Sequence, residues 1–216
     1  MLLALTGRAQ LVTERGERLV KRCPDLLGAY LLLSKAYEML KRTAEARQVL
    51  EQLTERFPSA QDFADQAIAS SWLAEGQLES ALDYLKHRAD EGSLGAGSIL
   101  LQARLLVQAQ RQDLALDSLE LLIFSAGRDH LSRSDMIGAR LLFGMLSALA
   151  SKTDQARSAA RALTELFPNH QEAIVGAIQI YTAIGDERQL RSMSRSYGDD
   201  APDRVRFALL ENLAKL

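Results

Sequence analysis

The segment Leu53-Thr54-Glu55-Arg56-Phe57-Pro58 returns as Leu163-Thr164-Glu165-Leu166-Phe167-Pro168, and the four prolines form two pairs, Pro24 with Pro58 and Pro168 with Pro202, each 34 residues apart. Repetition at this period marks an array of helix pairs, because one pair is too small to bury its apolar face alone and does so against its neighbours. The period constrains architecture tightly and chemistry weakly, since stacked hairpins act chiefly by holding other molecules.

Helical spacing then assigns the pairs. After Pro24, Tyr30, Leu33, Tyr37 and Leu40 recur at intervals of three and four, one face of a first helix. Lys41-Arg42-Thr43 is the turn, and Ala46, Val49, Leu50 and Leu53 form the inward stripe of a second helix that Phe57-Pro58 closes. Ala46 is small enough to let two antiparallel helices approach to about 8–10 Å. Its equivalents are Ala81, Ala115 and Ala156, the last displaced by an insertion over residues 125–133, after which Ser134 or Asp135 is suited to cap the next helix. In the second pair Trp72 takes the place of Tyr37, with Glu75-Gly76-Gln77 as turn. In the fourth, Gly144 allows close approach. In the fifth, Ile174, Ile178, Tyr181 and Ile184 precede the turn Gly185-Asp186 and a second helix around Leu190 and Met193.

The ends also read as parts of the array. Val205 to Leu213 is amphipathic and suited to cover the last pair, as terminal repeats require. Gly7 precedes Pro24 by the interval that separates Gly185 from Pro202. Met1 to Leu5 therefore reads as the tail of a first helix, and the chain as one cut from a longer array.

These features resemble the tetratricopeptide repeat (TPR) family, whose units of about 34 residues carry an aromatic, a small residue and a tyrosine in the first helix, an alanine in the second and a closing proline. Tyr30, Leu33, Ser34, Tyr37, Ala46, Leu50 and Pro58 carry the pattern in the first full unit. Phe143, Gly144, Ala156 and Pro168 carry it in the fourth, and Ile174, Tyr181 and Pro202 in the fifth. The second and third units are degenerate. The resemblance implies an all-α, right-handed α-solenoid of about five helix-turn-helix repeats plus a C-terminal capping helix. The expected units are 1–24 (partial), 25–58, 59–94, 95–133, 134–168 and 169–202, with the cap at 203–216.

In that family the first helices line a concave inner surface. Helical register places Leu31, Lys35, Met39, Phe63, Leu100, Arg104, Leu141, Met145, Val175 and Gln179 there, a largely apolar peptide-binding groove. It departs from the lysine, asparagine and arginine clamp with which some members grip the terminal carboxylate of chaperones. It suits instead an amphipathic helix or an extended apolar segment. The implied role is a protein-binding or assembly scaffold without catalysis. The alternatives are a spacer or accessory domain of a bacterial envelope, secretion or polysaccharide-export machine, and a regulatory domain of a larger enzyme or transcription activator. An exposed end repeat also offers a surface on which a second copy forms a homodimer.

Composition and missing motifs narrow the chemistry. A net charge of −2 supplies no positive field for nucleic acid or an acidic membrane surface. No membrane insertion is expected, because Gly7 and Arg8 interrupt the apolar start and Arg104 and Arg140 interrupt the two most apolar stretches. The lack of a targeting signal favours the cytoplasm over the periplasm. A single cysteine, Cys23, builds neither a disulfide nor a thiolate cage and reads as a small, partly buried side chain. His87, His130 and His170 sit on separate units without metal-ligand spacing, so no metal or cofactor is expected. Ser125, Asp129, His130 and Ser132 share one loop but lack the strand-turn-helix setting of a nucleophilic site. Between Ser59 and Gly92 seven acidic residues stand against two basic ones, which reads as a solvated outer face.

Overall fold

A computed structural model describes residues 2–124, 131–197 and 202–213, with side chains described from residue 10 up to residue 212 within those ranges. The described residues are all-α, of the helical-repeat solenoid class: α1 (Leu2–Arg22), α2 (Leu27–Met39), α3 (Thr43–Arg56), α4 (Gln61–Ala74), α5 (Leu78–Asp90), α6 (Ala96–Gln108), α7 (Gln112–Phe124), α8 (Arg133–Leu149), α9 (Thr153–Leu166), α10 (Gln171–Ala183), α11 (Glu187–Tyr197) and α12 (Asp203–Leu213). A short 3-10 turn, Pro58–Ala60, leads into α4. Two compact units, residues 1–101 and 102–216, divide the chain inside α6.

In the first unit α1 packs on α2, α2 on α3, α3 on α4 and α4 on α5. The expected turn at Gly7 does not form: helix runs unbroken from Leu2 to Arg22, and an isolated glycine costs a helix only about 1 kcal/mol. The core gathers Tyr30, Leu33, Tyr37, Ala46, Val49, Leu50, Leu53, Ala64 and Ile68. Tyr30 meets the Phe57 ring edge-on at 6.0 Å and donates to the Pro24 carbonyl at 3.2 Å. The Tyr37 hydroxyl donates to Glu17 on α1. Burial and that carboxylate push its pKa up to about 12.

In the second unit α8 packs on α7, α9 and α10, and α12 covers α10 and α11. Its core contains Ile137, Ala156, Ala160, Leu163, Ile174, Ile178, Ile180, Tyr181, Leu190 and Met193, closed by Val205, Ala208 and Leu209 of α12. The residue capping α8 is Ser132 rather than Ser134 or Asp135. Its Oγ accepts from the Asp135 backbone N–H at 3.1 Å, a side-chain N-cap, and donates to the Asp135 carboxylate at 2.6 Å. Residues 125–130 of the expected insertion, with Ser125, Asp129 and His130, lie outside the described residues.

The repeated hexapeptide has a physical reading. Leu53 and Leu163 are fully buried. Thr54 and Thr164 fold their hydroxyls back onto the carbonyls of Glu51 and Arg161. Phe57 and Phe167 make the last helical hydrogen bond before proline removes the next donor.

A second repeated device is the turn within each pair. Lys41, Gly76, Gln110, Ser151 and Gly185 all adopt a left-handed backbone, with φ of 61°, 75°, 60°, 59° and 67°. Each sits between two backbone bonds of a Schellman motif: Arg42 N–H to the Tyr37 carbonyl and Lys41 N–H to Glu38, repeated from Gln77 and Gly76, from Arg111 and Gln110, from Lys152 and Ser151, and from Asp186 and Gly185. Only glycine adopts this conformation without steric cost. Ser151→Gly is therefore expected to stabilise the second unit by about 0.5–1 kcal/mol, read from the denaturant midpoint at unchanged slope; a loss of stability would show that Ser151 is held there by its side chain.

Candidate functional site

The left-handed turn residue supplies a common ruler for the first helices. Ten positions before it stand Leu31, Gln66, Leu100, Leu141 and Val175; six before it, Lys35, Ser70, Arg104, Met145 and Gln179; two before it, Met39, Ala74, Gln108, Leu149 and Ala183. The first set is half-buried, with Leu100 fully so at 2% exposure. Leu100 is therefore an interior residue, a correction to its expected place on the groove. In the second unit the residue at the same position, Leu141, lies over Gly176 of α10, its Cδ1 3.1 Å from where a Cβ there would stand. Leu141, Met145 and Val175 rest half-buried against the second core, while Gln179 and Arg104 are exposed.

In the first unit α2 and α4 flank an open cleft of about 600 Å³. Lys35, Glu38 and Met39 of α2 line one wall and Ala67, Ser70, Ser71 and Ala74 of α4 the other, with Lys41, Thr43 and Glu75 at the turn end. Ala67, Ser70 and Ala74 recur at helical spacing, and Phe63, 54% exposed, continues their stripe by one turn. Met39 is 50% exposed. Expected groove residues Lys35, Met39 and Phe63 thus belong to the walls or their extension, and Leu31, half-buried, packs against the core.

The charged groups of the cleft divide into fixed and free. Lys35 pairs with Glu38 at 2.7 Å. Arg47 stacks over the Trp72 ring with its guanidinium carbon 3.6 Å from the centroid, and reaches Ser71 Oγ at 3.0 Å and Glu75 at 3.3 Å. Thr43 donates to the other Glu75 oxygen. These bonds, Thr43's first and then Arg47's, hold the Glu75 carboxyl below its usual value, and the network fixes the start of α3 to the end of α4. The second unit uses the same device: Arg157, placed as Arg47 is, reaches Asp186 at 2.8 Å in the next turn. Lys41, exposed at the rim, makes no ion pair among the described residues.

Two acidic residues that sequence reading placed on a solvated face are structural. Asp65 is fully buried, and its Oδ1 accepts from Tyr84 at 2.6 Å, Gln61 at 2.9 Å and Arg88 at 3.2 Å. Burial, then this bond, pushes the Tyr84 hydroxyl far up in pKa. Asp62 accepts from the backbone N–H groups of Gly97 and Ser98 at 3.0 and 2.8 Å, capping α6 from α4. Helical spacing puts Asp65 on the face of Ala64 and Ile68, a signal that was present but masked by the local excess of acid. Cys23 is exposed rather than partly buried, and His170 is half-buried. His87 is exposed, 3.4 Å from Glu91. Among the described residues no cluster of His, Cys, Asp and Glu is arranged to hold a metal, and no helix is long and apolar enough to cross a membrane.

Comparison with known proteins bears on the fold. The tetratricopeptide-repeat family model matches residues 29–60, the α2–α3 pair. No curated protein matches the sequence. Among solved structures, that of YrrB, a TPR protein with an unusual peptide-binding site, superposes with a TM-score of 0.61 at 20% identity over 94% of this chain and 100% of that one. Naa15/Naa10 bound to HypK-THB aligns at a TM-score of 0.46 and 15% identity, over 96% of this chain and 37% of that one. The APC/C hetero-tetramer Cut9-Hcn1 aligns at 0.38 and 16%, over 98% of this chain and 48% of that one. The matched repeat and the shared fold of helical hairpins identify the chain as a TPR-like helical-repeat protein.

Proposed function

We propose that the protein is a non-catalytic interaction scaffold whose first unit docks a peptide segment of a partner protein in the α2–α4 cleft. The observation that carries this reading is the cleft itself: a hollow of about 600 Å³ between two first helices, with a long flexible methionine on one wall and small residues on the other. Small residues leave depth for an inserted side chain, and Met39 adapts to its shape. The occupant fitting this chemistry is an extended or helical segment with an apolar anchor over Ala67 and Ala74 and a carboxylate within reach of Lys41. The match at residues 29–60 supports it, because the matched repeat supplies the α2 wall.

The test is selection of peptides from a random library on the whole chain, followed by affinity measurement. Peptides enriched in an apolar residue next to an acidic one are expected. Met39→Arg and Ser70→Arg, both at exposed positions, should each weaken their binding by about tenfold or more. Melting temperature should stay the same. Selected peptides indifferent to both substitutions would place docking elsewhere.

A further inference from the structure

The outer face of α7 carries acid and exposed apolar residues together. Asp113, Asp117, Glu120 and Phe124 are spaced by four, three and four residues, which aligns them in one stripe, and α7 holds no lysine or arginine. All four are exposed, Phe124 at 63%, and Leu121 beside them at 65%. Asp117, Glu120, Leu121 and Phe124 border a shallow hollow of about 410 Å³. On α1 the opposite pattern runs in reverse: Arg22, Arg18, Arg15 and Leu11 are spaced by the same four, three and four, and all are exposed, Leu11 at 46%. None of these six charged residues forms an ion pair among the described residues.

We infer that the α7 face of one copy of this chain binds the α1 face of a second copy. Laid antiparallel, the stripes set Asp113 against Arg22, Asp117 against Arg18, Glu120 against Arg15 and Phe124 against Leu11. Three opposite charges thus meet in register with an apolar contact at one end. One helix laid on another buries little area, so the association is weak and sensitive to salt. The contact joins unlike faces: a two-fold dimer contains it twice, and any other assembly is a ring or an open chain.

Sedimentation of the whole chain tests this. Self-association is expected at about 20 mM salt, weakened about tenfold or more at about 0.5 M. Reversal of α1 by Arg15→Glu, Arg18→Glu and Arg22→Glu should abolish it, as should reversal of α7 by Asp113→Lys, Asp117→Lys and Glu120→Lys. An equimolar mixture of the two reversed proteins should associate again, and so should the single swap Arg18→Glu with Asp117→Lys, which keeps the test valid if a triple variant loses helix. A monomer at about 1 mM protein in low salt would overturn the inference. Association that survives either reversal, or reversed proteins that stay apart when mixed, would overturn it equally.

Discussion

Leu163→Ala is expected to cost the second unit about 2–5 kcal/mol, and Leu53→Ala the first unit as much, because each removes a fully buried leucine and leaves a cavity that its neighbours fill only in part. Leu163 belongs to the buried cluster of the second unit, with Ala156, Ala160, Ala173 and Ala177 beside larger residues such as Ile174 and Ile178. Hydrogen exchange reads the effect directly. Protection in α9 and α10 should fall with Leu163→Ala, and in α2 and α3 with Leu53→Ala. A change below about 0.5 kcal/mol in either variant would mean that the repeated hexapeptide does not anchor its hairpin.

Gly144→Leu tests the opposite error, too much volume. A Cβ at position 144 would stand 2.4 Å from Ile180 Cδ1 and 3.1 Å from Ala159 Cβ, so α8 touches both α9 and α10 at a point where no side chain fits. Overpacking of this kind costs about 1–3 kcal/mol, and leucine brings four carbons to a place without room for one. The clash is chiefly with a single flexible side chain, so in an Ile180→Ala background the substitution should cost markedly less than the sum of the two single changes. Additive costs would locate the strain in the backbone.

The pairs were legible because their signals are local. Periodic apolar residues, the small alanines and the closing prolines each act within one hairpin, and Ala46, Ala81, Ala115 and Ala156 are all at most 1% exposed. The turns were half legible. Gly76 and Gly185 announce a left-handed residue, whereas Lys41, Gln110 and Ser151 adopt it under the pull of the Schellman bonds, against their own preference.

The faces of the first helices were legible in register but not in depth. Lys35, Arg104 and Gln179 stand six positions before their turns and are exposed, whereas Met145 at the same position is half-buried; Leu31, Leu100, Leu141 and Val175, ten before, sink to different degrees. One helix's periodicity tells which residues share a face. It does not tell how deeply each of them is buried, and Leu100 is only 2% exposed. Asp62 and Asp65 went unread for a related reason, since their partners Gly97, Ser98 and Tyr84 lie one hairpin or one helix away in sequence.

Amide chemical-shift mapping during titration of a selected peptide tests docking between α2 and α4. The largest shifts should fall on Lys35, Glu38 and Met39 together with Ala67, Ser70 and Ala74, saturating at one affinity. Shifts that leave both helices untouched while the peptide binds would contradict it.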